Sequence, residues 1–175
     1  MNNKLKSNIS PFKIGGTFSY EHIRDGKVID KWEEPNIVVD EGLEYALDSA
    51  FSAGTQITAW YIGLFKNNYT PIAGNVAATF WGAGVANEVT TEYSESTRPA
   101  WTEAGVTSKT LTNSASVAVF TFASPVSVYG AGLVSTNTKG GTSGKLAAAS
   151  KFSSVRSMLA SDVLNVTYSL TIATA

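Results

Sequence analysis

Apolar positions in this chain recur with two periods, and the change from one to the other marks a single helix among many short strands. Ile37 to Val39 is a short apolar run. After Asp40, the residues Leu43, Ala46, Leu47, Ala50 and Phe51 fall three and four apart, the spacing of one helical face. Asp40 has a side chain suited to an N-cap, so the spacing predicts a helix over about residues 40–51. Ser52 to Gln56 breaks the period. Ile57 to Phe65 then runs as a continuous apolar, aromatic-rich stretch between Gly54 and Asn67-Asn68, as expected of a buried strand on which the helix can lie.

Elsewhere the signals are those of strands and turns. Ile14 to Ile23 and Lys27 to Trp32 flank Asp25-Gly26, a strong hairpin signal. A two-residue loop would set Glu21 opposite Asp30, a like-charge pair. A three-residue loop instead sets Phe18 opposite Trp32 and His22 opposite Val28, and this register is preferred; Pro35 ends the hairpin because it cannot donate to a ladder. Lys66 to Asn87 is irregular, with Pro71, Gly74, Gly82 and Gly84 as breakers. Short strands follow at Val89–Tyr93, Ala100–Thr102, Ser108–Leu111, Val117–Ala123 and Val126–Val134, then at Lys145–Phe152 after a glycine-rich turn. Both alternate sets of Val117–Ala123 are largely apolar, which predicts cover on both faces. In the last strand Leu164, Val166, Tyr168, Leu170 and Ile172 alternate with polar residues, so one face is core and the other wet. With strands dominant and no strand–helix repeat, the expected fold is mostly β: a jelly-roll-like β-sandwich with one packed α-helix, formed by residues 14–175 as a single domain behind an N-terminal arm of residues 1–13.

Composition narrows the function classes. There is no Cys and only one His, which excludes disulfides, thiolate metal sites and His-rich metal sites. The net charge of -1 gives no global pull toward nucleic acid or anionic lipid, so neither is an expected partner. No apolar run approaches the length of a membrane span, and the first residues lack the apolar core of a signal peptide, so a soluble, unexported protein is expected. Charged residues make up only 15%, while Ser and Thr together exceed a fifth of the chain, a surface suited to close packing against neighbours.

No candidate chemistry survives comparison with a structural explanation. Gly140-Gly-Thr-Ser-Gly144-Lys145 departs from a phosphate loop in the glycine spacing and in the residue after the lysine, and reads as a turn. His22 would have to serve any Ser-His-Asp triad, yet it lies mid-strand without a nucleophile elbow. The carboxylate neighbours Glu33-Glu34, Asp40-Glu41 and Glu92/Glu95 each have a structural job: flanking a proline turn, complementing the helix dipole, and pairing with Arg98 in a loop, respectively. An Arg98 pair of that kind would be exposed and worth only ~0–1 kcal/mol. Acids from distant strands forming a glycosidase pair stay open at this level. The expectation is therefore a non-enzyme with no catalytic, cofactor-binding or metal-ligating residue.

Contact candidates are easier to name. Residues 1–13 carry Lys4, Lys6 and Lys13 without an acidic residue, and Leu5, Ile9 and Phe12 show no sustained period. The segment is either a frayed terminus or an arm that lies on a neighbour, pinned by Phe12 and the lysines. Phe80 and Trp81 stand in the long irregular stretch, where large aromatics are either tucked into the core or presented to a partner. Lys4, Lys6, Ile9, Phe12, Phe80, Trp81 and Trp101 are the partner-contact candidates.

Several spaced segments occur in one order: Asn36-Ile-Val-Val-Asp-Glu-Gly42-Leu43 with Leu47-Asp48, Trp60-Tyr-Ile-Gly63-Leu64, Tyr93-Ser-Glu-Ser-Thr-Arg98-Pro99, Lys139-Gly-Gly-Thr-Ser-Gly144 with Leu146, and Leu164-Asn-Val-Thr-Tyr168. This order, spread over roughly residues 14 to 172, resembles a group of tailed-bacteriophage virion proteins. The resemblance implies a non-enzymatic capsid decoration (cement) protein, a jelly-roll-like homo-oligomer (dimer or trimer) on the outer head surface. It would be made in the host cytoplasm, with the major capsid protein and its own copies as partners and no cofactor. A tail or head-fibre adaptor is the alternative within the group. From the residues, a carbohydrate-binding sandwich with Trp81 or Trp101 under a sugar ring is the alternative outside it. Ala147-Ala-Ala149 departs from the group, which would carry a larger apolar residue there.

Overall fold

The computed structural model describes residues 12–174. It is mostly β, with two antiparallel sheets packed as a sandwich. The first sheet contains β1 (Phe12–Arg24), β2 (Lys27–Pro35), β6 (Thr110–Thr112), β7 (Ala118–Thr121) and β10 (Val163–Thr174), in the order β2-β1-β10-β6 with β7 also on β10. The second contains β3 (Ile37–Val38), β4 (Trp60–Phe65), β5 (Ala100–Trp101), β8 (Val126–Val134) and β9 (Leu146–Met158), in the order β3-β9-β8-β4-β5. Two helices complete the fold, α1 (Asp40–Phe51) and the short α2 (Ala77–Phe80).

The β1–β2 hairpin corrects the expected register. Asp25 and Gly26 both take positive φ (51° and 72°), forming a two-residue turn of the kind whose twist matches the strands. Pairing starts as Arg24 with Lys27 and Ile23 with Val28, then shifts so that His22 faces Asp30 and Glu21 faces Lys31. The extra residue, Ile29, is a β-bulge that avoids the Glu21–Asp30 clash without lengthening the loop. Glu21 and Lys31 instead form an ion pair at 2.5 Å. Phe18 faces Glu34, and Trp32 stands opposite Tyr20, stacked at 4.9 Å.

The core has two layers. Between the sheets lie Phe18, Tyr20, Ile62, Leu64, Phe120, Phe122, Leu164, Val166 and Tyr168. On the far face of the second sheet, Phe65, Phe80, Trp81, Ala86, Val134 and Leu146 form another cluster, covered by the chain from residue 66 to 87. β4 is therefore buried on both faces, as are the second half of β8 and the start of β9. The expectation of double cover for Val117–Ala123 fails, since Val117 and Val119 are partly exposed at a sheet edge. Along that edge β6 and β7 are two short pieces joined through Asn113. Its buried amide accepts from the Tyr168 N–H at 2.7 Å and donates to the Val166 carbonyl at 3.1 Å, replacing a missing strand residue.

Val89–Tyr93 is not a strand. It makes no ladder, and the bridges near it are the isolated pairs Phe65–Glu88 and Tyr93–Phe122. β9, conversely, runs past its expected end at Phe152 to Met158, bending toward the first sheet where the Ser153 N–H donates to the buried carboxylate of Glu34 at 2.6 Å. β1 includes Phe12 and Lys13, paired with Thr174 and Ala173, so the strand starts two residues before the expected Ile14.

α1 has the expected span, but its N-cap is Val39 rather than Asp40, which is the first helical residue, with Glu41 beside it in the first turn. The helix packs on the start of β9 with its face rotated from the predicted one, so that small residues rather than Leu43, Leu47 and Phe51 point inward. Only Gly42 is fully buried, and a Cβ there would lie 2.4 Å from the Ala147 carbonyl oxygen. That backbone-to-backbone approach explains the glycine at 42, where any side chain would push the helix away; Ala148 and Ala149 are buried, Ala148 in the core between the sheets and Ala149 in the cluster on the far face.

Candidate interaction surface

Of the contact candidates, Phe80 and Trp81 belong to the interior, at 0% and 3% exposure. The core explanation of these aromatics is the one the fold realises. Trp81 packs on the second sheet over two glycines, where a Cβ on Gly63 would sit 2.6 Å from the indole ring and one on Gly132 3.2 Å. Phe80 meets it edge-on at 4.8 Å. Trp101, at 8% exposure, sits on edge strand β5 with its indole N–H donating to the Tyr168 carbonyl at 2.9 Å, tying the two sheets together. Lys4, Lys6 and Ile9 lie outside the described residues, and Phe12 opens β1.

Arg98 has a larger role than the sequence suggests. It is 1% exposed and forms a two-pronged ion pair with Glu88, Nε to Oε1 at 2.6 Å and Nη2 to Oε2 at 2.7 Å. Its remaining donors reach the carbonyls of Thr136 and Gly141, both at 2.9 Å, and its guanidinium lies 4.8 Å from the Trp81 ring. Glu88 also accepts from the Gly140 N–H at 2.7 Å, so the glycine-rich stretch is a turn clamped by this pair. The partner is thus not Glu92 or Glu95. Glu92 pairs with Lys66 at 2.5 Å, and Glu95 accepts from the Thr121 N–H at 3.0 Å.

His22 is likewise structural in its bonding. Its Nε2 is 2.8 Å from Asp162, whose carboxylate also takes Arg24 through two N–H donors at 2.8 and 2.7 Å and the Leu159 N–H at 2.7 Å. Among the described residues no hydroxyl is bonded to the imidazole, and no group of three or more His, Asp or Glu is arranged to hold a metal ion. No helix among them is long and apolar enough to cross a membrane.

The Arg24 hydrogen bonds, helped by the Leu159 N–H and His22, outweigh burial and hold the Asp162 carboxyl well below the usual carboxylate range. A depressed folded-state value stabilises the fold above the unfolded-state value of about 3.9, and the contribution is lost as pH falls toward the folded value. Urea midpoints should therefore decline below about pH 5 in the wild type. The acid limb should be shallower in D162N, which is less stable at pH 7 but has no such carboxyl to protonate.

The main exposed apolar feature is α1. Leu43, Leu47 and Phe51 recur every four residues along its outer side at 40%, 61% and 83% exposure. These are the large residues of the face expected to point inward. Of that face Ala46 and Ala50 do point inward, and with Gly42, Tyr45 and Ser49 they line a groove of about 650 Å³ at the open end of the sandwich. The other walls of the groove include Ile14, Leu170 and Ile172 of the first sheet and Trp60 and Trp101 of the second. Tyr45 packs edge-on against Trp60 at 5.4 Å, and its hydroxyl accepts from the Ile57 N–H at 2.7 Å. The helical glycine at 42 is the sequence signal that could have identified the packed face, because small residues permit the closest approach.

No protein-family model matches the chain, and neither does any curated protein.

Proposed function

We propose that this protein is a non-enzymatic virion component of the capsid-decoration type. It docks on the assembled head shell of a tailed phage, against the major capsid protein and neighbouring copies of itself, and stabilises that shell. The observation that carries the reading is the outward stripe of Leu43, Leu47 and Phe51. A helix that packs through small residues and turns its large apolar ones to solvent has a second face suited to protein–protein burial. The ordered segments that resemble phage virion proteins, and a sandwich whose polar clusters are taken up in structural bonds, support the same reading. The mechanism is mass action: preference for the expanded shell over its precursor stabilises the expanded state by the difference in binding free energy.

Co-sedimentation of the purified protein with expanded and unexpanded heads of the encoding phage tests this. Wild type is expected to saturate expanded heads. The L43S/L47S/F51S variant is expected to bind roughly 100-fold more weakly, since re-exposing three such side chains costs at least about 3 kcal/mol. Its thermal midpoint should change little, because these side chains are already exposed. Undiminished binding by that variant would remove the α1 contact, and recovery of the protein on tails alone would favour the adaptor role. The carbohydrate reading loses Trp81, which is buried, and has in Trp101 a nearly covered ring.

A further inference from the structure

Two tight turns in this chain are built from different residues. Asp25-Gly26 closes the β1–β2 hairpin with a pair that such a turn favours. Ser108-Lys109 closes another two-residue turn, in which Thr107 and Thr110 exchange backbone hydrogen bonds at 2.9 Å. Neither of its residues is Gly or Asn, yet both are held at positive φ, 51° and 65°. This places a strained pair in an exposed loop, residues 102–109, where Asn-Gly would close the same hairpin at lower cost. Folding alone does not call for a lysine there.

The turn lies at the rim of the open end. The Lys109 carbonyl accepts from the Ile172 N–H at 3.0 Å on one side of β10, and Lys13 of β1 stands opposite Ala173 on the other. The two lysines therefore flank the end of β10, about 10 Å apart at two strand spacings. Both are exposed, and Glu103 is the one acid in residues 102–112. We propose that this lysine rim contacts a second copy of the chain, docking on the side of its α1 that carries Asp40, Glu44 and Asp48.

These three acids are exposed and recur every four residues, beside the apolar stripe and outside the groove lining. α1 has no basic residue to balance them. Each step of four rises about 6 Å along a helix, so Asp40 and Asp48 stand about 12 Å apart, close to the separation of the lysines. Among the described residues, none of these acids and neither lysine has a salt-bridge partner within the molecule. Exposed pairs are individually weak, so the contact uses two of them together with Val106, which is 70% exposed in the same loop. Because the two patches differ, the contact is heterologous, and copies standing on a shell by the same end close into a ring. Leu43, Leu47 and Phe51 stay available to the shell. The inference thus specifies the neighbour contact of the proposed function and rests on that reading.

Sedimentation velocity of the full-length protein, without heads, tests it at about 0.05 M and about 0.5 M salt. Wild type is expected to self-associate with rising concentration, and at least tenfold more weakly at the higher salt. K13E/K109E and E44K/D48K should each weaken association at low salt by at least about tenfold, since like charges then face each other. The combined K13E/K109E/E44K/D48K chain keeps the net charge of -1 and should associate as wild type does. S108N/K109G should raise the thermal midpoint by about 2–4 °C while weakening association. A wild type that stays monomeric, single reversals without effect, or a combined variant that fails to recover would overturn the proposal. All these variants keep the apolar stripe, so such a result removes the neighbour contact and leaves head binding to its own test.

Discussion

Arg98→Ala is expected to lower the unfolding free energy by about 3–5 kcal/mol, the range for removing one partner of a buried pair. The loss is large because the lysine- and water-rich alternatives of a surface are absent. Glu88 is 3% exposed, so its carboxylate would be left buried with only the Gly140 N–H, and the carbonyls of Thr136 and Gly141 would lose their donor. Glu88→Ala should cost a similar amount by stranding the guanidinium. Replacing both, as R98M/E88L, should cost less than either single change, because no unpaired charge remains. Urea unfolding followed by circular dichroism measures all three. A loss below about 1 kcal/mol in R98A would return the residue to the exposed-pair class expected from the sequence.

Trp81→Ala should cost a comparable ~3–5 kcal/mol, the usual range for removing a buried Trp, because the indole fills the layer between the second sheet and its covering chain. Gly63→Ala probes the same contact from below. Its new methyl would begin 2.6 Å from the indole carbon Cη2, so the ring or the strand must shift, and overpacking of this kind costs about 1–3 kcal/mol. Since Arg98 rests over the same ring, W81A and R98A share a neighbourhood and their combined loss should fall short of the sum. If Trp81 were a partner contact, W81A would leave stability unchanged and reduce binding.

The mostly β sandwich, the single long helix and the alternation of the last strand as far as Tyr168 were legible in the sequence, because each depends on a local period; beyond Tyr168 the alternation fails, with Leu170 half-buried and Ile172 45% exposed. What was not legible depended on groups far apart in the chain. Nothing local distinguishes Glu88 from Glu92 or Glu95 as the partner of Arg98; the choice is made where residues 136–141 fold against them. The helix shows the opposite error. Periodicity correctly located Leu43, Leu47 and Phe51 on one face, yet the direction of that face is set by Gly42 and Ala147, whose small size allows contact between backbones. Large apolar residues indicate a face to be covered and do not say which molecule covers it. The hairpin register was missed for a simpler reason. A like-charge clash has two remedies, a longer loop or a bulge, and the chain takes the bulge at Ile29.

The central claim is that this protein works through a protein-to-protein contact made by the outer face of α1. A density map of the intact particle of the encoding phage, at a resolution that distinguishes side chains, tests it most directly. The account predicts copies of the chain on the outer head shell, with Leu43, Leu47 and Phe51 pressed against a major capsid subunit. Copies found with that helical stripe facing open solvent would contradict it.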